Sequence, residues 1–188
     1  MKKKKEKVKV DLIKHEKNYL ELLIRNSEPG MMNALRRTIL AEVPVMAIDE
    51  VIVYENSSPL FDEYIAHRLA LIPLTTPLKD YKKPQECCGG NCSSCSVTLS
   101  IDENGPKIVY SSDILTTDPK VKPVSGKIPI IELMEGQRLR LEAKAVLGTG
   151  EEHAKWQAGN ASYKFLPKLI QKGEVKNGEE VVKACPKK

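Results

Sequence analysis

The sequence predicts an α+β protein, in which two helices and several antiparallel strands pack into one or two small domains. Strand-like alternation of apolar and polar residues occurs both before and after two short segments with helical spacing. Because strands and helices do not alternate regularly, this order excludes a regular βαβ arrangement. With 41% hydrophobic residues among 188, the chain can bury a core, and no apolar run reaches the roughly 18 residues of a membrane span.

The N-terminal part is predicted to form a β-hairpin followed by a helix. Residues 7–13 alternate as a half-buried strand does, and residues 19–24 form a second apolar run. Residues 31–43 have helical spacing, and the proline that follows them ends the helix. Arg36 and Arg37 lie beside the apolar stripe of this helix, where they can bind an acidic partner or remain in solvent. The spacing leaves both interpretations open.

A strand and a second helix are predicted in the next segment. Alternation predicts a strand that begins at Ile48, with Ile52 and Tyr54 on the same face. Residues 62–72 begin with two acidic residues and carry basic residues later, an order that suits the dipole of a helix. No serine or cysteine nucleophile is near His67 in the sequence, so this histidine is interpreted as a packing or capping residue.

The remaining elements are predicted to be strands. Residues 96–101 and 108–110 are expected to pair as a small hairpin that flanks the cysteines. Residues 128–133 are strand-like, and residues 137–146 form the clearest amphipathic strand in the chain. Residues 161–166 are predicted to form the last strand.

The net charge of +5 is unevenly distributed. Residues 1–17 hold eight lysines and three acidic residues, and residues 164–188 hold seven lysines and three acidic residues. The segment between them therefore carries a net charge of −4. Lysine-rich termini on an acidic body favour a role in solubility over a folded nucleic-acid-binding face. No apolar stretch follows the first lysines, so we expect no secretory signal and a cytoplasmic protein.

Four of the five cysteines lie within nine residues, and a tight cluster in a cytosolic chain indicates a metal site. Zn²⁺ binds four thiolates tetrahedrally, and the spacing of Cys92 and Cys95 fits one edge of such a site. Cys87 and Cys88 are adjacent, so both can bind one ion only in a strained turn. The alternatives are a three-cysteine site completed by Glu86 or water, and a loop without metal that is either reduced or joined by opportunistic disulfides. The spacing is not that of a ferredoxin.

Three stretches resemble the alpha-like subunits of multisubunit RNA polymerases. The first-helix signature of that family is similar to NALRRTILAEVP at residues 33–44. The segment DEYIAHRLALIPL at residues 62–74 resembles the archaeal and eukaryotic branch of this family. AKWQ at residues 154–157, with Tyr163 shortly after, also matches.

The resemblance implies a scaffold built from a discontinuous domain. Residues 1–45 and 161–188 would form an alpha-like dimerisation domain, and residues 46–160 an inserted, mainly β domain with a cysteine loop at 86–95. Catalysis in this family belongs to the two large subunits. The resemblance therefore implies a noncatalytic assembly subunit of a DNA-directed RNA polymerase, a nucleotidyltransferase complex, with no catalytic residues of its own.

The resemblance also implies partners. The first helix would pack against the small alpha-like partner, subunit L, and Arg36 and Arg37 match positions that touch the large catalytic subunits. Subunits N and P would join the same platform, and contact with DNA would be indirect, through the complex. The implied partner-binding residues are Leu35, Arg36, Arg37, Ile39 and Leu40.

The cysteine loop matches the family's zinc knuckle in the insert domain, with one departure. Relatives place one residue between the first two cysteines, which are adjacent here. The implied zinc ligands are Cys87, Cys88, Cys92 and Cys95. Cys185 resembles a remnant of the iron–sulfur domain that many archaeal relatives carry, and the other cysteines of that domain are absent. We therefore expect no iron–sulfur cluster, and a chain without the family's closing helix.

Two other classes of function compete with the assembly subunit. A zinc-knuckle module that binds nucleic acid through its lysine-rich ends predicts tight, salt-sensitive binding by the isolated chain. A cysteine or zinc hydrolase needs a base and an open metal position. His15, His67 and His153 are scattered along the chain, and none is close in sequence to the cysteines, so the hydrolase is the least favoured.

Overall fold

A computed structural model describes residues 7–90, 92–167, 170 and 177–184. Within these residues the helices longer than one turn are α1 (Pro29–Ala41), α2 (Asp62–Ala70) and α3 (Gly178–Ala184). The strands are β1 (Lys9–Glu16), β2 (Tyr19–Arg25), β3 (Val45–Asn56), β4 (Ser96–Asn104), β5 (Lys107–Tyr110), β6 (Leu115–Thr116), β7 (Pro129–Leu133) and β8 (Arg138–Gly148). The predicted α+β class is confirmed. None of the helices in the described residues is both long and apolar enough to cross a membrane.

The first part of the chain is a hairpin followed by a helix, as predicted. β1 and β2 pair antiparallel, with a bulge between Leu12 and Lys14. α1 begins at a proline, which suits the first turn of a helix because that turn needs no backbone donor. No residue of α1 is buried. The hairpin and α1 therefore contribute nothing to the buried core.

The core lies in a four-stranded antiparallel sheet with the order β3-β8-β4-β6 and in the elements packed on it. β8 is paired on both sides, and its predicted alternation is confirmed by four inward-facing side chains that are almost fully buried. These are Leu139, Leu141, Ala143 and Ala145. α2 covers one part of this core with Ile65 and Leu69. His67 is exposed on the last turn of α2, so the prediction that it packs is wrong, and the alternative that it caps the helix stays a prediction.

The prediction that Ile48, Ile52 and Tyr54 share one face is wrong. Ile48 is buried, whereas Ile52 and Tyr54 are exposed. The register of β3 shifts between Ile48 and Glu50, and an extra residue in a strand moves all later side chains to the other face. Val51 and Val53 therefore pack against the core in their place.

The predicted hairpin of β4 with the following strand is also wrong. β4 pairs with β8 and β6, whereas β5 pairs with β7 in a separate two-stranded sheet. The chain leaves β4 at Gly105, where an added Cβ would lie 1.9 Å from the carbonyl oxygen of Met134. The Gly105 amide also donates to the carbonyl of Gln137 at 2.8 Å. This close approach holds Gly105 against the turn between β7 and β8. Gly105 is the point at which the chain leaves β4, so β4 and β5 are separated there.

The predicted last strand does not form in the described part of the chain. Residues 161–167 have no strand assignment, and Tyr163, Phe165 and Leu166 are exposed. Apolar residues at strand spacing form a strand only when a neighbouring strand supplies hydrogen bonds. Cys185 lies outside the described residues.

A glycine connects α1 to the loop after β8. The amide of Glu151 donates to the carbonyl of Ala41 at 3.0 Å. A Cβ added at Gly150 would lie 2.1 Å from the carbonyl oxygen of Leu40, closer than real Cβ atoms approach an oxygen. The C-terminal end of α1 therefore rests directly on the backbone of this loop.

We expect Gly150→Ala to lower the free energy of unfolding by about 1–3 kcal/mol, because backbone must move to admit the methyl group. Urea unfolding checks this value. Gly30→Ala is the matched control, since nothing lies within 4 Å of a Cβ added there and alanine favours helix. Equal stability of the Gly150 variant and wild type would contradict the described contact.

Candidate functional site

The four clustered cysteines lie in a loop between α2 and β4 that is closed by its own hydrogen bonds. The amide of Lys82 donates to the carbonyl of Ser94 at 3.0 Å and joins the two ends of the loop. The carbonyl of Pro84 accepts the amides of Cys87 at 3.2 Å and Gly89 at 3.0 Å. At the start of the loop, the hydroxyl of Tyr81 donates to Asp118. Burial and this bond raise the pKa of Tyr81 to about 12.

The four thiols converge in one group, which we call the cysteine centre. Sulfur atoms are 3.4 Å apart in the pairs Cys87–Cys92, Cys88–Cys95 and Cys92–Cys95. All four lie within 4.8 Å of one another. Four sulfurs around one zinc ion at about 2.3 Å are spaced by about 3.8 Å, whereas disulfide sulfurs are about 2.05 Å apart. The separations are close to those of a tetrathiolate zinc site, and the four cysteines are free rather than paired in disulfides.

Two glycines allow the adjacent cysteines to point into the same centre. Gly89 and Gly90 have φ values of +78° and +94°, a region that side chains disfavour. Cys87 itself has φ −133° and ψ −124°, outside both helix and strand conformations. The turn brings both neighbouring thiols into the group, and Glu86 is not part of it. The geometry therefore favours four cysteines over three cysteines and a carboxylate.

The thiol of Cys95 is the most buried of the group. Burial raises its pKa, but hydrogen bonds from Cys92 and the other two thiols outweigh burial and lower the pKa to about 6. Thiolates are the form of cysteine that binds metal, so the arrangement suits a cation. Among the described residues, no second group of three or more histidine, cysteine or acidic side chains is close enough to hold an ion.

A second feature is the set of exposed apolar side chains on α1 and on the hairpin, which together we call the N-terminal apolar face. Leu35 is 44% exposed and Ile39 is 37% exposed, and with Met31 they form a stripe at i, i+4 and i+8. Paired positions of β1 and β2 add further apolar side chains on one face of the hairpin. These are Val10, Leu12, Leu20, Leu22 and Ile24, of which all but the half-buried Ile24 are exposed.

The other implied partner-binding residues lie on the same helix. Arg37 is exposed, and Arg36 is half-buried and donates to Asn33 at 3.3 Å. Leu40 is half-buried near the contact with Gly150. Within α1 these exposed apolar side chains lie on one side of the helix, an arrangement that marks an interaction site rather than an isolated exposed side chain.

Comparison with known proteins identifies the family. Residues 46–167 match the family model described as the RNA polymerase Rpb3/RpoA insert domain. The chain is 40% identical over 181 residues to DNA-directed RNA polymerase subunit Rpo3 of Archaeoglobus fulgidus, covering 95% of this chain and 69% of that protein. The chain belongs to the Rpo3 family of archaeal RNA polymerase subunits.

Other Rpo3 proteins are similar to the same extent. The subunit of Pyrococcus furiosus is 44% identical, with 96% of this chain and 68% of that protein covered. The subunit of Methanosphaera stadtmanae is 44% identical, with 88% of this chain and 64% of that protein covered. The chain thus spans about two thirds of the length of these Rpo3 relatives.

Sequence reasoning missed one residue beside the cysteine centre of this Rpo3-family chain. Lys144 of β8 lies beneath the loop, where its ammonium is 3.4 Å from a Cβ added at Gly90. Its place in the alternating pattern of β8 predicts only that it faces away from the core. The contact depends on how the loop folds over the sheet, which no spacing in the sequence indicates.

Proposed function

We propose that this chain is a noncatalytic assembly-platform subunit of archaeal DNA-directed RNA polymerase, acting in the cytoplasm. The observation that carries the proposal is the N-terminal apolar face in a chain of the Rpo3 family. No side chain of the thirteen-residue helix α1 is buried in the described part of the chain, which supports docking of another chain on this helix.

The partner proposed for this face is the small alpha-like subunit L. Obligate heterodimers are held by large interfaces with apolar centres, and the stripe on α1 offers such a centre. The proposed dimerisation domain combines residues 1–45 and 161–188, and the insert comprises residues 46–160. The match of the insert-domain family model from residue 46 supports the first boundary.

The same platform would bind the other subunits. Arg37 is exposed beside the apolar stripe, and with Arg36 it is proposed to bind carboxylates of the large catalytic subunits. Subunits N and P are proposed to join this platform, with DNA bound only indirectly through the complex.

The cysteine centre is proposed to hold a structural zinc ion. All four coordination positions of a tetrahedral zinc ion would be filled by Cys87, Cys88, Cys92 and Cys95. No position would be left for water or substrate. When bound, zinc would cross-link the two halves of the loop. A closed site of this kind supports folding and offers no catalysis, in agreement with a scaffold.

Co-expression with subunit L tests the proposed function. We expect a stable complex of the two chains, and poor solubility of this chain when it is expressed alone. A monomer that is soluble and ignores subunit L would contradict the proposal. Tight binding of nucleic acid by the isolated chain, falling steeply with salt, would instead support the alternative of a zinc-knuckle nucleic-acid-binding module.

A further inference from the structure

Lys144 is less exposed than its position in the sheet predicts. The outward side chains of β8 include Arg140, Glu142 and Lys144, which alternate with buried residues. Arg140 has 56% of its side chain exposed, whereas Lys144 has only 24%. The difference arises because the loop that carries the cysteines lies over Lys144.

The side chain of Lys144 is covered by backbone of the loop that carries the cysteines. A Cβ added at Gly90 would lie 3.4 Å from Nζ and 3.6 Å from Cε of Lys144, and 3.8 Å from Cβ of Pro84. Gly90 is buried and stands two residues after Cys88 and two before Cys92. The ammonium therefore lies against the middle of the segment that joins these two cysteines.

One acidic side chain on the neighbouring strand binds this ammonium. Glu50 of β3 is the strand partner of Lys144, and its carboxylate is 3.2 Å from Nζ. Glu50 is 65% exposed, so its charge is well screened by solvent. The ammonium of Lys144 therefore lies between the carboxylate of Glu50 and the loop at Gly90.

We propose that Lys144 is a positioning residue and a counter-charge for a zinc ion in the cysteine centre. This inference rests on the zinc site of the proposed function. One Zn²⁺ with four thiolates carries a net charge of −2, and a partly buried charge is stabilised by a fixed opposite charge. Lys144 supplies this charge from the rigid central strand and supports the turn at Gly90. Groups of this kind around metal ligands change metal affinity about 10–100-fold.

The test measures zinc affinity of the metal-free full chain by competition with a coloured chelator under reducing conditions. Lys144→Met keeps most of the apolar stem and removes the charge, so we expect affinity to fall at least about tenfold. Lys144→Arg should bind like wild type. Glu50→Gln should bind zinc as tightly as wild type or more tightly, because the carboxylate no longer offsets the ammonium.

Arg140→Met is the matched control, since it removes one positive charge from the same face of the same strand away from the loop. We expect wild-type affinity. An equal loss in the Arg140 and Lys144 variants would assign the effect to overall charge and overturn the proposal. An equal loss in Glu50→Gln and Lys144→Met would assign it to the ion pair and also overturn it.

Two further outcomes separate this inference from the zinc site. A wild-type chain that binds no zinc overturns both, whereas a wild-type chain that binds zinc with the same affinity as Lys144→Met overturns only the role of Lys144. Urea unfolding of each metal-free variant shows whether the fold survives. If Lys144→Met does not fold, weaker binding by Glu50→Gln or loss of binding by Lys144→Arg overturns the proposal.

Discussion

Replacing both Leu35 and Ile39 by aspartate should abolish the proposed complex with subunit L. The two side chains lie one turn apart on α1, and both are exposed without covering any part of the core. An interface formed there would bury two carboxylates against apolar surface, which costs several kcal/mol for each unpaired charge. We expect affinity for subunit L to fall at least about 100-fold, as for substitutions at the centre of an interface.

Co-purification of a tagged subunit L with the variant chain measures this loss. Because no residue of α1 is buried, the isolated variant should fold like wild type and should be more soluble than wild type. Leu115→Asp is the control, since Leu115 is 68% exposed on β6 and lies outside the N-terminal apolar face. A double variant that retains subunit L would show that α1 does not form the interface.

Replacing Cys95 by serine should remove the zinc ion that we propose for the cysteine centre. Cys95 is the buried member of the cysteine centre, with its sulfur 3.4 Å from those of Cys88 and Cys92. A serine hydroxyl is a poor zinc ligand at neutral pH because it stays protonated, and structural zinc sites need all four ligands. We expect the zinc content to fall from one per chain to near zero, and protease cleavage between residues 82 and 95 to accelerate.

Elemental analysis of the purified chain checks the zinc content. A chelator should accelerate protease cleavage of the wild-type loop as much as the substitution does. Ser94→Ala is the matched control in the same loop, because the hydrogen bond from Lys82 uses the carbonyl of Ser94 and survives the change. Zinc that stays at one per chain in the Cys95 variant would contradict the tetrathiolate site.

The elements predicted correctly are those in which apolar residues recur at the regular spacing of a strand or a helix. β8 alternates from Arg138 to Ala145, so its period of two identifies both the strand and its inward residues. α1 was predicted from spacing and from the proline that follows it. In β8 the environment agrees with the pattern, because the inward residues are buried, whereas the apolar stripe of α1 is exposed.

The wrong predictions concern pairing, which depends on distant parts of the chain. One extra residue after Ile48 reverses the faces of Ile52 and Tyr54, and alternation cannot reveal such a shift. β4 and β5 are close in sequence, but β4 pairs with β8, which is a longer strand than β5. Cys87 and Cys88 converge because Gly89 and Gly90 turn the chain. The glycines in the sequence permit such a turn but do not specify it.

The position of the N-terminal apolar face along the chain has a consequence for synthesis. The face belongs to the first 41 residues, so it leaves the ribosome before the insert that carries the buried core. From that moment a newly made chain offers aggregation-prone surface until a partner covers it. We therefore expect unassembled copies to be degraded quickly, so that the amount of subunit L sets the steady-state level of this chain.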